Sequence, residues 1–278
     1  MSRTQETAEG AGPFTTRLTW RLADGSTAVW ESRRARKRGL LGVRAAGERE
    51  ARSRTADAVS VRRLRRLNAV AAGSFTVGGG FFAFGAGVAQ FGPGSATGAW
   101  IYFVGGLFFN TGGYASLLQS VNAPRQDAGT AGLASPRWRW WSYEPSRIDW
   151  LSTFVLFVGT LVFGVDLVSS LLEGLSVQQV DTLVWAPDVV GCVLFLVSGH
   201  LALVEVCHGR PRVLPRDLAW WIVAVNQLGS ALFIVSALAA FTRPATGSAV
   251  NVDIADWGTL AGALCFSVAG VLQTFEHP

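Results

Sequence analysis

Four polar side chains lie within otherwise apolar stretches of this chain: Asp166, His200, Asn226 and Gln227. An ionisable group inside a stretch long enough to span a bilayer is a functional candidate by default, because holding it there is costly. Asp166 lies about six residues from the end of its stretch, hence roughly 9 Å below that boundary at 1.5 Å per residue. His200 lies roughly 24 Å below the same boundary in the next stretch, so it is not a natural partner. Asp188 is nearer in depth, and so is Arg243 if its side chain folds inward. The expectation for Asp166 is therefore an ion pair with Arg243, or a neutral carboxyl bonded to Ser169, Ser170 or a backbone carbonyl. His200 shares its level with Asn226 and Gln227. Such residues can line a cation or proton path, or they can hydrogen-bond between helices and hold them together.

Enzyme chemistry finds no foothold. No HExxH, GxSxG, P-loop or dinucleotide-binding fingerprint occurs in a suitable context. Cys192, Cys207 and Cys265 form no CxxC and lie in or beside apolar runs, which suits buried small residues better than a disulfide framework or a zinc site. No catalytic residue, metal or cofactor is expected.

The elements that position these side chains are membrane helices. Half of the 278 residues are hydrophobic and 15% are charged, against roughly 25% in soluble domains. Six stretches reach the roughly 20 residues needed to span a bilayer: about 68–91, 99–121, 150–172, 184–206, 218–241 and 256–275. Trp100, Trp150, Trp185, Trp220, Trp221 and Trp257 sit at or near their starts, where indole rings favour the interface. Of 24 basic residues, 16 precede Leu67, four lie between spans two and three, and three lie between spans four and five. The positive-inside rule puts all of these, and both termini, in the cytoplasm. One lysine beside 23 arginines, with plentiful Ala, Gly and Val, points to a GC-rich bacterial genome and so to the inner membrane. No signal peptide is expected, the first span acting as its own insertion signal. The opposite face collects Asp166, Glu173, Asp181, Asp188, Asp253 and Asp256 against Arg243.

The even-numbered spans repeat one another. They share G-x3-F-x3-G-x5-[QE], as Gly105, Phe109, Gly113 and Gln119; Gly191, Phe195, Gly199 and Glu205; and Gly262, Phe266, Gly270 and Glu276. Odd spans share G-x3-F at Gly78/Phe82, Gly159/Phe163 and Gly229/Phe233. The chain therefore reads as three parallel copies of a two-helix hairpin. Spacing by four puts the glycines on one helix face, where a neighbouring backbone can come close. Gly105, Gly113, Gly191, Gly199, Gly262 and Gly270 are expected at helix contacts, and Glu205 and Glu276 as solvated anchors near Arg210, Arg212 and the N-terminal arginines.

The second and third hairpins resemble the YrhK-like domain, a bacterial family of paired membrane helices. The likeness lies in Gly159, Thr160, Phe163 with Trp185, Gly191, Phe195, Ser198, Glu205, and again in Gly229, Ser230, Phe233 with Trp257, Gly262, Phe266, Ala269, Glu276. The first hairpin departs, with Gly79 at the Ser/Thr place and Gln119 at the Glu place. The resemblance implies a membrane protein and supplies no activity.

Before the spans, residues 1–13 read as a disordered tail and 14–66 as a basic cytoplasmic region. Alternation around Asp24-Gly25 predicts a β-hairpin over about 15–32, and 45–66 reads as a basic amphipathic helix. A lone hairpin must dock on something: the loops, another subunit or the membrane. Arg33, Arg34, Arg36, Lys37 and Arg38 read as a contact to anionic lipid headgroups. No nucleic-acid-binding motif surrounds them. The expected whole is an all-α membrane protein with a small N-terminal β-hairpin. It is expected to act as a non-catalytic scaffold or sensor, with residues 14–38 meeting lipid, a second copy or another protein. The alternative is a small cation or proton transporter that uses Asp166.

Overall fold

The computed structural model describes residues 6–48, 52–91, 95–126 and 132–276. Phe14–Arg21 (β2) and Thr27–Glu31 (β3) pair antiparallel across the expected Asp24-Gly25 turn, where Asp24 accepts from the Ser26 amide at 2.9 Å and Gly25 takes a φ of +80°. The hairpin is not alone. Glu6–Ala11 (β1) pairs on one side, and Leu40–Arg44 (β4) and Arg52–Thr55 (β5) extend the other, giving a five-stranded antiparallel meander in the order β1-β2-β3-β4-β5. Trp20, Ala28, Leu41 and Val43 form its core.

Two expectations change here. Residues 6–11 of the supposed disordered tail form a strand, because β2 offers an open edge whose N–H and C=O groups need partners; residues 1–5 lie outside the described residues. The helix expected over 45–66 begins only at Ala58, since Gly47 turns the chain at φ +84° and residues 52–55 are taken up as the partner of β4.

Between β3 and β4 runs a short helix, Ser32–Arg38 (α1), closed by Gly39 in the left-handed region at φ +61°. Six long helices follow: Ala58–Phe91 (α2), Ser95–Val121 (α3), Ile148–Ser169 (α4), Val177–Val206 (α5), Leu218–Ala239 (α6) and Val252–Thr274 (α7). In α5, Val180–Trp185 is wound as π-helix. Among the described residues, five of the six are long and apolar enough to cross a membrane, with α3 falling outside that set. Each packs against the helices before and after it, and α7 returns to α2, so the six close into a ring. Outward faces carry Val77, Phe84, Leu161, Val165, Val193, Leu228, Val235 and Val268, all exposed. An apolar belt of that extent belongs against lipid rather than water.

Glycine sets the distances within the ring. A Cβ added to Gly78 would lie 3.0 Å from the Gly105 carbonyl oxygen, and one added to Gly105 would lie 3.1 Å from that of Gly78. Gly229 and Gly262 stand in the same relation at 3.0 Å each, and Gly191 meets the Gly159 carbonyl at 3.3 Å. The second glycine of each long motif faces the next hairpin: Gly113 meets Thr160, Gly199 meets the end of the Gln227 side chain, and Gly270 meets the Thr76 amide and Ala72 carbonyl at 2.8 and 2.9 Å.

With the backbones this close, six phenylalanines fill the axis. Phe82, Phe163 and Phe233 form one triangle, with centroids 5.5–6.5 Å apart. Against it lies a second layer, in which Phe266 is 5.5 Å from Phe109 and 6.1 Å from Phe195. The layers touch at Phe82–Phe109, Phe163–Phe195 and Phe233–Phe266, 5.1–5.9 Å apart.

Gly270→Ala places a methyl against fixed backbone and is expected to cost about 1–3 kcal/mol and lower the folded yield. Gly80→Ala, on an exposed face with open space around it, should be neutral or stabilising by up to about 1 kcal/mol. Thermal unfolding of the two variants in detergent checks the pair, and equal behaviour would remove the close-packing argument.

Candidate functional site

The basic run of the N-terminal region lies on α1, and α1 is inserted into one end of the helix ring. Arg33 donates from Nε and Nη2 to both Glu276 oxygens at 2.7 and 2.8 Å. Arg36 Nη2 donates to Glu205 at 3.0 Å, and the Ser32 hydroxyl donates to the same carboxylate at 2.7 Å. Lys37 Nζ donates to Asn68 Oδ1 at 3.0 Å, and Asn68 is in turn tied to Gln273 and its backbone carbonyl. Ser32, Arg36, Lys37, Glu205 and Glu276 are all buried. The third repeat-closing residue, Gln119, donates to the Leu64 carbonyl at 3.2 Å.

This corrects the headgroup assignment for Arg33, Arg36 and Lys37. Their charges are spent inside the protein, because two carboxylates wait at the helix ends and an unpaired buried carboxylate is far costlier than a paired one. Arg34 stays exposed beside Glu31, and Arg38 is half-buried. Glu205 and Glu276 are likewise not solvated anchors, and among the described residues their partners are α1 side chains rather than Arg210 or Arg212. A second tether lies in the turn after α5, where His208 meets the Thr16 hydroxyl at 3.0 Å and Gly209, at φ +75°, presses against the backbone of Gly10.

Burial opposes charge on Glu276, but Arg33, then Lys37 and Arg36, outweigh it and hold the carboxyl below its usual range. Burial likewise works against the Arg33 charge, and Glu276 overcomes it. For Lys37 the balance goes the other way: burial first, then neighbouring Arg36, outweighs Glu276 and Glu205 and pushes its ammonium well below the usual lysine range.

Above α1 lies a chamber of about 90 Å³ whose wall includes Arg36, Lys37, Ser116, Ser152, Ser198 and Asn226, roofed by Phe195 and Phe266. Ser152 and Ser198 clasp α4 to α5, each donating to the other's carbonyl at 3.0 and 2.8 Å. On the far side of the phenylalanines is a cavity of about 220 Å³ floored by Phe82, Phe163 and Phe233. Asp166, Asp188, Cys192 and Asp256 line it, and among the described residues no basic side chain does. Ser170 donates to Asp166 at 3.1 Å, one of the two arrangements expected; Arg243 turns away and donates to the Val250 carbonyl.

The four polar candidates are therefore scattered. Asp166 faces the far cavity and Asn226 the inner chamber. Gln227 backs Gly199, and His200 is exposed on the outer face of α5. Shared depth did not mean shared face. Among the described residues no three His, Cys, Asp or Glu side chains converge in a way that could hold a metal. Asn68, Gln273, Ser116 and Ser198 went unnoticed as site residues because short polar side chains are common in membrane helices; their clustering at one end of the spans was the available signal.

Compared with known proteins, the chain matches no family model, no curated protein and no solved structure.

The lock has a pH signature. Glu276 has its folded pKa below its unfolded value, so the stability it contributes is complete above about pH 4.5 and is lost as pH falls through the folded value. Acidification below that range should free the β-sheet domain, read as new protease sensitivity within residues 6–55. Arg33→Gln should show the same sensitivity already at neutral pH. Glu205→Gln leaves the Arg36 charge buried opposite an amide and should cost roughly 3–5 kcal/mol.

Proposed function

We propose that the protein is a six-span, non-catalytic membrane sensor or scaffold, built from three copies of one helical hairpin, in which a cytoplasmic β-domain is fixed to the inner end of the bundle. The observation that carries this reading is the pair of buried ion links, Arg33–Glu276 and Arg36–Glu205, which tie that domain to the ends of the second and third hairpins. A change in how the hairpins pack would shift Glu205 against Glu276 and so reach the β-domain directly. The glycine and phenylalanine contacts that recur in each hairpin support the repeat, and α3, packed between α2 and α4, is its missing sixth span. The charge asymmetry supports an inner-membrane placement with the β-domain in a bacterial cytoplasm. Affinity with the YrhK-like family rests on the Gly, Phe, Trp and Glu pattern alone.

A transporter is the second reading, and Asp166 and Asp188 facing one cavity favour it. Two layers of phenylalanine between that cavity and the inner chamber weigh against it. Purified protein in vesicles is expected to pass no sodium, potassium or protons. A flux abolished by Asp166→Asn would replace the sensor with the transporter.

With α1 occupied inside, the anionic-lipid contact moves to the rim of the ring. Arg62, Arg63 and Arg66 are exposed on the first turns of α2, and Arg63 stacks over Trp138 at 5.8 Å. Beside them Arg137, Arg139, Trp140, Trp141 and Tyr143 are exposed. Each such arginine near an anionic surface contributes about 1 kcal/mol. Arg62, Arg63 and Arg139 changed together to Gln should reduce co-purifying anionic phospholipid without changing the unfolding temperature in detergent. Unchanged lipid content would remove the rim as the contact.

A further inference from the structure

Among the described residues, one of the three α1 cations that enter the bundle makes no ion pair. Arg33, Arg36 and Lys37 meet two carboxylates, Glu205 and Glu276, and both carboxylates are engaged by the two guanidinium groups. The Lys37 ammonium is left facing a neutral amide, Asn68, with only one of its three donors used. An unpaired ammonium in a dry site has two remedies: it gives up its proton, or it acquires a counter-ion.

The chamber next to it is equipped for the second. Lys37 and Arg36 form part of its wall, and the Arg36 Nε is buried without a partner. The Ser116 hydroxyl, in a residue 4% exposed, and the half-buried Asn226 amide also line the chamber. Leaving the Arg36 Nε a buried donor without a partner is costly. Donor groups gather here from α1, α3 and α6 around one space, and Ser116 and Asn226 are neutral. Among the described residues no acidic side chain lines this chamber, in contrast to the far cavity.

We infer that the chamber is a binding site for one small monovalent anion of chloride size, held by Lys37 and Arg36 with the Ser116 hydroxyl and the Asn226 amide completing its shell. Its volume of about 90 Å³ has room for a chloride with ordered water; gluconate, a chain of hydroxylated carbons, lacks the compact shape that this shell encloses. Arg33 and Lys37 also border a recess of about 290 Å³ on the β-domain side, whose wall mixes Arg34, Arg38 and His208 with Glu31 and Asp217. The site stands apart from the sensor reading: it follows from the charge count at α1, whatever the bundle senses. Bound there, the anion would complete the charge balance that lets α1 stay inserted.

The test is thermal unfolding of the full chain in detergent, with chloride exchanged for gluconate at constant ionic strength. Ligand that binds the folded state alone raises stability as RT ln(1 + c/Kd) at free concentration c, so the midpoint climbs with the logarithm of its concentration above Kd. A rise in the unfolding midpoint with the logarithm of chloride concentration, reproduced by bromide and absent in gluconate, is expected. Lys37→Met should abolish the halide dependence whether or not it alters the midpoint itself. Should that variant fail to fold, Asn226→Leu, which fills the chamber from α6, should abolish it instead. Identical midpoints in chloride and gluconate would overturn the site, as would a halide response that survives in whichever of the two variants folds. The same midpoints in both salts would mean that Lys37 sits there without its proton.

Discussion

Close approach of helix backbones is the constraint on which the rest of this molecule depends. Lipid offers no hydrophobic gain when two membrane helices meet, so association must come from contact itself. The glycine pairs Gly78/Gly105 and Gly229/Gly262 bring carbonyl oxygens to within 3.0–3.1 Å of where a side chain would begin. The phenylalanine four residues on from each glycine is thereby carried to the axis. Six rings then interlock where an open ring of helices would otherwise leave a pore. The shape of both cavities, and the separation between them, follows from this one arrangement.

At the inner end the governing physics is desolvation. Five charges are removed from water together, which is tolerable because four of them form two hydrogen-bonded pairs. Replacing such pairs by apolar side chains is often neutral or stabilising, so stability alone is a weak reason for their presence. They are better understood as specifying position. A bidentate Arg33–Glu276 contact is satisfied only in one register of α1 against α7, and a greasy contact would tolerate several.

Much of the bundle was legible because a bilayer imposes length and composition on any segment that crosses it. Gly105, Gly191 and Gly262 could be placed at contacts from spacing alone, since four residues return to one helix face. The β-hairpin was legible from Asp24-Gly25, a local turn. What could not be read was everything set by distant partners. β1 and β5 are strands because neighbouring edges needed them, and their own residues say little. Glu205 and Glu276 were expected near the N-terminal arginines, and Arg33 and Arg36 do meet them across 243 and 169 residues; that the meeting is buried, and so takes these arginines from lipid, was not legible. His200, Asn226 and Gln227 shared a depth along their helices, but depth along an axis does not specify which face a side chain takes.

The distance between those partners has a consequence for how the chain is made. Arg33 emerges early in synthesis, whereas Glu276 becomes available only after α7 has been translated and inserted, with a separation of 243 residues closed by one contact. Contacts of such separation form late and slowly, since loop closure precedes any gain. Until then α1 carries unsatisfied positive charge, which keeps the β-domain out of the hydrocarbon and on the side where it began. Seating α1 thus acts as a checkpoint on assembly: it can occur only when the second and third hairpins have both arrived, in register, beside the first.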